Sequence, residues 1–300
     1  MIRSFRELVD SVKDANRRIA VAVAQDTEVL FALRKATDLS IAKPILVGDE
    51  KKIREIAEEK NISLDAMEIV DEVDIVEASR KAVKLVHDNE ADVLMKGLVD
   101  TSVFLKAVLD KEIGLKESGV LSHVALFDVK GFDRLIYVTD VAMCIAPDVL
   151  QKEGIINNAV KVSHALGNDN PIVACLCAVE KVNPKMPATL DAEELVKRNK
   201  DGLIKGCIVL GPLALDNAIS IEAARHKGIE DEYAGRADIL LVPYIEAGNI
   251  LYKSLTYMAG AENGGIIVGT SAPVILTSRA DSDQSKFNSI VLAIAVTNKQ

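Results

Sequence analysis

The sequence predicts an α/β protein of two domains with largely parallel sheets, and three observations carry that reading. Short runs of aliphatic and β-branched residues alternate with longer stretches of helical period along nearly the whole chain. Those runs are apolar throughout rather than at every second position, the mark of strands covered by helices on both faces. The runs also fall into two series, and 300 residues suffice for two domains of about 150.

The chain opens on an amphipathic helix, with Phe5, Leu8, Val9 and Val12 on one stripe. Ile19–Ala24 reads as a buried strand, Glu28–Asp38 as a helix, and Pro44–Val47, closed by Gly48, as the next strand. Helical Lys51–Lys60, strand-like Met67–Val70, helical Ile75–Asp88 and the strand Asp92–Met95 complete the first series. A turn at Gly131-Phe132-Asp133 starts the second series, with strands at 134–140, 171–177, 207–211, 237–243 and 264–269 and helical segments between them. No Ser/Gly/Pro-rich linker parts the two, so the boundary near 133 is a tight hinge. Pro273–Leu276 is a last strand. Ser282–Val296 is a last helix, carrying Phe287, Ile290, Val291 and Ile294 at helical spacing.

Composition narrows the function. Acidic residues outnumber basic ones, 45 to 36, for a formal charge of −9. That excludes a general nucleic-acid binder, which needs a basic surface for counterion release. It leaves room for a phosphorylated small molecule at a local cationic pocket. The longest apolar runs, such as Ile290–Val296, fall far short of the roughly 20 residues of a bilayer span, so no membrane partner is expected. The charged N-terminus has no signal-peptide core, and Cys144, Cys175, Cys177 and Cys207 offer neither zinc spacing nor a disulfide framework. A cytoplasmic protein with free thiols is the expectation.

In open α/β sheets the functional loops lie beyond the carboxyl ends of the strands. Four polar, glycine-bearing or capping segments occupy such places: 96–101, 211–216, 243–249 and 277–282. In the last, Thr277-Ser278-Arg279-Ala280-Asp281 joins a strand to a helix start. Arg279 offers a fork of donors matched to phosphate, beside the free N–H groups of a helix N-terminus. Ser278 could donate to a developing oxyanion. Asp281 with Gln284 resembles a capping box, so a plain N-cap with an exposed arginine explains the same residues. Lys96, followed by Gly97, is either an anion holder or a solvated lysine at a strand end. Tyr252 and Lys253 are ligand contacts or a half-buried helix face. His87, His164 and His226 stand near helix C-termini, where the dipole suffices to explain them; His123 has a cleft-like setting. There is no G-x-G-x-x-G, no P-loop, no G-x-S-x-G elbow and no cluster with metal-ligand spacing.

At these same loops the chain resembles the phosphate acetyl/butyryl transferases. Residues 243–253, PYIEAGNILYK, look like that family's P-x-x-E-A-G-N-I-x-Y-K. GPLALD (211–216) is similar to its G-P-L-x-x-D, Ser278-Arg279 to its S-R pair before the last helix, and ADVLMKG (91–97) to its A-D-x-x-x-x-G loop. The resemblance spans nearly the whole chain. It implies two α/β domains like those of isocitrate and isopropylmalate dehydrogenases with the active site in the cleft between them, the first domain comprising 1–133 with 270–300 and the second 134–269.

The reaction implied is reversible acyl transfer between coenzyme A and inorganic phosphate, without a covalent acyl-enzyme. Ser278 would stabilise the oxyanion and Arg279 would hold the phosphate. A carboxylate would help deprotonate the CoA thiol. Lys96, Gly97, Thr101, Asp216, Glu246, Asn249 and Lys253 would bind substrate. Coenzyme A is then a substrate, and neither a cofactor nor a metal is expected. Where acetyl-type members carry an aspartate seven positions after the motif serine, this chain has Ser285. Asp281 lies about 40° from it around the helix and is the best substitute base. A first-domain arginine of the acetyl type also lacks a match, Lys106 being the nearest cation. The short chain and the SRADS motif look more like the butyryl branch, with butyryl-CoA, phosphate and butyryl phosphate as partners and a homodimer or larger homo-oligomer as assembly. Acetyl-CoA specificity and a non-catalytic CoA-sensing module are the alternatives. A nicotinamide-dependent dehydrogenase of the related fold would need a metal-binding aspartate set that the chain lacks.

Overall fold

The computed structural model describes residues 1–117, 119–278 and 280–297. The elements run α1 (Phe5–Ser11), β1 (Arg17–Ala22), α2 (Thr27–Asp38), β2 (Ala42–Gly48), α3 (Glu50–Lys60), β3 (Glu68–Asp71), α4 (Ile75–His87) and β4 (Val93–Lys96). After α5 (Thr101–Val108) come β5 (Ser122–Asp128), β6 (Ile136–Thr139), α6 (Val149–Ala165), β7 (Ile172–Leu176) and α7 (Pro187–Lys200). Next are β8 (Ile208–Leu213), α8 (Leu215–Ile219), α9 (Ile221–His226), β9 (Ile239–Leu241) and α10 (Ile245–Lys253), which continues as a π-helical turn over Ser254–Met258. β10 (Glu262–Val268), β11 (Val274–Ile275) and α11 (Asp283–Thr297) close the chain. Contacts divide it into two compact units: Phe5–Ser118 with Gly264–Gln300, and Met1–Ser4 with Gly119–Asn263.

In the first unit the strands lie in the order β3-β2-β1-β4-β11-β10, parallel except for the β10–β11 step. Helix starts are capped by the acids the sequence places there. Asp26, Asp49 and Asp74 accept the N–H groups of Val29, Lys52, and Val76 with Glu77. α2 and α4 bury one stripe each, Val29, Leu30, Leu33 and Ala36 in the one and Ala78, Ala82, Val83 and Val86 in the other. α11 is different. Every residue from Lys286 to Val296 is buried, and the helix packs against α2 and α1. Phe5, Leu8 and Val12 of the predicted N-terminal stripe are buried, and Val9 is half-buried.

In the second unit the order is β5-β6-β9-β7-β8. β6, β9, β7 and β8 are mutually parallel, while β5 and β6 form an antiparallel pair with Ala125 opposite Val138 and Phe127 opposite Ile136. Expectation and structure part here, because the sequence pattern does not mark SHVALFD (122–128) as a strand. The connection through the Gly131 turn is too short for a parallel crossover, so these two strands must pair antiparallel. Among the described residues no helix is long and apolar enough to cross a membrane.

The buried length of α11 generates a test. Ile294, fully buried, truncated to Ala should cost about 2–5 kcal/mol through lost transfer free energy and the cavity left behind. Denaturant unfolding of the Ile294→Ala protein measures it.

Candidate active site

Two motif segments of the first unit are brought together by strand register. β11 runs parallel to β4, with Val274 beside Leu94 and Ile275 beside Met95. The loops leaving their carboxyl ends, which begin at Lys96 and Thr277, therefore start side by side at the same end of two neighbouring strands. Packing requires Gly97: a Cβ there would stand 2.2 Å from the Val23 carbonyl oxygen and 2.8 Å from that of Ala22. The chain hugs the end of β1 through bonds from Gly97 N–H to Ala22 O and Leu98 N–H to Val23 O, both 2.8 Å. Lys96 is not solvated at its strand end. It is buried, and its ammonium donates to the Gly97 carbonyl at 3.2 Å. Thr101, the first residue of α5, is exposed.

The Ser278 loop is built differently from the expected capping box. Ser282, not Asp281, caps α11: its Oγ accepts the Ser285 N–H at 3.2 Å, and its carbonyl accepts that of Lys286 at 3.0 Å. The Asp281 carboxylate turns back instead and accepts the Ser278 N–H at 2.7 Å. Gln284 does not complete a box. Its amide reaches Asn288 Oδ1 at 2.8 Å and its oxygen receives the Lys35 ammonium at 2.7 Å. Ser282 takes the cap by position: it directly precedes the helix and reaches the third N–H of the turn, while Asp281, one residue earlier, is turned back onto Ser278. Ser278 is exposed, and its Oγ accepts from Ala280 N–H at 3.3 Å. An oxygen so held keeps its own O–H as a donor. Arg279 lies outside the described residues.

In the second unit the PYIEAGNILYK segment forms α10. Glu246, Asn249 and Lys253 stand at positions i, i+3 and i+7 of this helix and are all exposed on one face. Gly248 is buried on the other. A Cβ there would meet the Asp140 carbonyl oxygen at 2.5 Å and Val141 Cα at 3.0 Å, so only glycine lets the helix lie against this turn. Asp140 itself is buried, and its carboxylate accepts three N–H groups, from Ala142, Met143 and Cys144, at 2.9–3.0 Å. Sequence reasoning missed Asp140; the only signal is an aspartate directly after a buried strand and before a loop rich in small residues.

Tyr252 belongs to the helix-face reading. Its ring packs edge-on against Phe127 at 5.3 Å, and its hydroxyl meets Asn263 Oδ1 at 3.0 Å. His123 is buried in β5 rather than set in a cleft; burial pushes its pKa down, and Asp140 pulls it the other way. Asp216, in the first turn of α8, stands 3.2 Å from the Lys227 ammonium, which holds its carboxyl below the usual range and also pairs with Glu180 at 2.7 Å. The cysteines are free thiols. Burial pushes Cys177 and Cys207 up to about 11 and Cys144 to about 12, so at neutral pH they are protonated and weakly nucleophilic.

Residues 4–77 and 72–294 match the phosphate acetyl/butaryl transferase family. The chain is 53% identical, over 100% of both sequences, to a phosphate butyryltransferase of Clostridium acetobutylicum. It is 42% identical to a phosphate acetyltransferase of Thermotoga maritima, covering 96% of this chain and 98% of that one. Among solved structures, a branched-chain phosphotransacylase from Enterococcus faecalis superposes with a TM-score of 0.84 at 37% identity, over 94% of this chain and 99% of the other.

The cap assignment is testable on its own. Ser282→Ala should lower stability by about 1 kcal/mol, and Ser282→Asp should restore most of it. Equal stability of all three proteins would move the cap elsewhere.

Proposed function

The chain belongs to the phosphate acetyl/butyryl transferase family, and we propose that it is a phosphate butyryltransferase, catalysing butyryl-CoA + phosphate ⇌ butyryl phosphate + CoA. The observation that carries this is the full-length identity to a butyryl enzyme, 53% against 42% for the acetyl one. The exposed Ser278 hydroxyl and the exposed helix face of Glu246, Asn249 and Lys253 support the reading.

In the phosphate-consuming direction a phosphate oxygen attacks the thioester carbonyl. The C–O bond forms, the carbonyl oxygen becomes an oxyanion, the C–S bond breaks, and the thiolate leaves and takes up the proton of the phosphate. Ser278 is proposed to donate a hydrogen bond from its hydroxyl to the oxyanion, the role for which its spare O–H is available. Arg279 is proposed to grip the phosphate through two N–H groups, since its planar fork matches two phosphoryl oxygens. Lys96, Gly97, Thr101, Asp216, Glu246, Asn249 and Lys253 are the proposed substrate-binding groups. Protonated cysteines favour direct transfer between two bound substrates over an acyl-cysteine, and juxtaposition supplies much of the acceleration. Coenzyme A is a substrate in this scheme, no resident cofactor is invoked, and the working assembly is proposed to be a homo-oligomer.

A thiol-release assay with phosphate tests the reading. Butyryl-CoA should be turned over with a higher kcat/KM than acetyl-CoA; the reverse order makes this an acetyltransferase, and CoA binding without turnover makes it a sensor. Ser278→Ala should lower kcat by roughly 10²-fold with little change in either KM. Arg279→Lys keeps the charge but not the fork, and should lose on the order of 2 kcal/mol of transition-state stabilisation.

Asp281 is proposed as the group that takes the thiol proton when butyryl phosphate and CoA are the substrates. Asparagine can still accept the Ser278 N–H, so Asp281→Asn removes the charge and leaves the loop its acceptor. The variant should be slow near pH 7 and recover as pH passes the thiol pKa of about 8.5. A deficit that does not change with pH would restrict Asp281 to shaping the loop.

A further inference from the structure

Among the described residues two lysines are buried to 2% exposure, and they are not alike. Lys152 is paired, its ammonium 2.5 Å from Asp191. Lys286, in the first turn of α11, makes no ion pair with a carboxylate among the described residues. Its ammonium instead donates to two carbonyl oxygens of the Ser278 loop, Asp281 O at 2.6 Å and Ser278 O at 3.4 Å. Carbonyl dipoles compensate a buried cation only in part, and an apolar side chain of the same volume is usually as stable or more so there. Stability alone does not account for Lys286.

Geometry supplies a reason. The peptide joining Asp281 to Ser282 is trans, as are all those described except Thr139-Asp140 and Gly211-Pro212. With the Asp281 carbonyl drawn inward onto Lys286, planarity turns the Ser282 N–H the opposite way. No described residue accepts that N–H. It is an outward donor at the start of a fifteen-residue helix, where backbone N–H groups and the dipole favour an anion.

We propose that Lys286 is the positioning residue of the Ser278 loop: by holding the Ser278 and Asp281 carbonyls it presents the Ser282 N–H to a phosphoryl oxyanion, free or in the acyl phosphate. The inference rests on the phosphate acyltransferase reading for its substrate and deepens it. It separates the duties within the loop. Arg279 and Ser278 touch substrate, and Lys286 sets the loop from behind without touching it.

Lys286→Met and Lys286→Gln test it, the first removing charge and donors at similar volume, the second keeping a neutral donor of shorter reach. Both should melt near the wild-type temperature. Both should lose about 10²-fold in kcat/KM for phosphate, the scale of a 1 Å misplacement, with the KM for butyryl-CoA within threefold of wild type. A second readout needs no turnover: inorganic phosphate should raise the melting temperature of the wild type and not of Lys286→Met. The proposal is overturned if either folded variant keeps its phosphate kcat/KM and thermal shift, or if neither variant folds. Loss of the phosphate shift in the variants of an enzyme that turns over no acyl-CoA would instead sink the acyltransferase reading and leave the role of Lys286 standing.

Discussion

Two residues of strand tie the ends of the first unit together. Val274 and Ile275 lie parallel to Leu94 and Met95, and this pairing starts the Lys96 and Ser278 loops side by side although some 180 residues of chain part them. A strand this short cannot hold its register by hydrogen bonds alone. The last helix holds it, because α11 is buried along its length against α2 and α1. That helix therefore fixes the geometry of the loop before it, and a core residue such as Ile294 bears on the site without approaching it.

Three described side chains at the Ser278 loop turn toward the backbone. The Asp281 carboxylate takes the Ser278 N–H, the Lys286 ammonium takes two carbonyls, and Ser282 takes the helix N–H. Ser278, Asp281 and Ser282 are each held by these bonds, and a donor held before the ligand arrives can act in the transition state rather than reorganise during it. Asp140 uses the same device in the second unit. Its carboxylate gathers three N–H groups and makes the turn on which Gly248 seats α10. The exposed face of that helix, with Glu246, Asn249 and Lys253, is presented by a glycine contact on its buried side.

The sequence by itself determined the α/β class, because continuously apolar strands between amphipathic helices have few other ways to be buried. It also determined the family, since PYIEAGNILYK, GPLALD and the Ser278-Arg279 pair are local strings whose meaning does not depend on fold details. Tyr252 as a packed residue and the three helix-end histidines were legible for the same reason: spacing along one helix is a local property.

Only the tertiary structure decided what each polar group faces. A capping box at Asp281 and Gln284 satisfies the local pattern, yet Ser282 took the cap and freed Asp281 to brace the loop. Lys96 looks like a solvated strand end until the return of the chain at β1 buries it. SHVALFD does not read as a strand because its pairing partner and direction come from the hairpin with β6. Lys286 belongs to none of the motifs read from the sequence. Its burial depends on a helix packed on all sides and on a carbonyl pair eight and five residues back along a bent loop. Residue order records which groups are present; which of them meet is set by long-range packing, and that is where the chemistry of a charged side chain is decided.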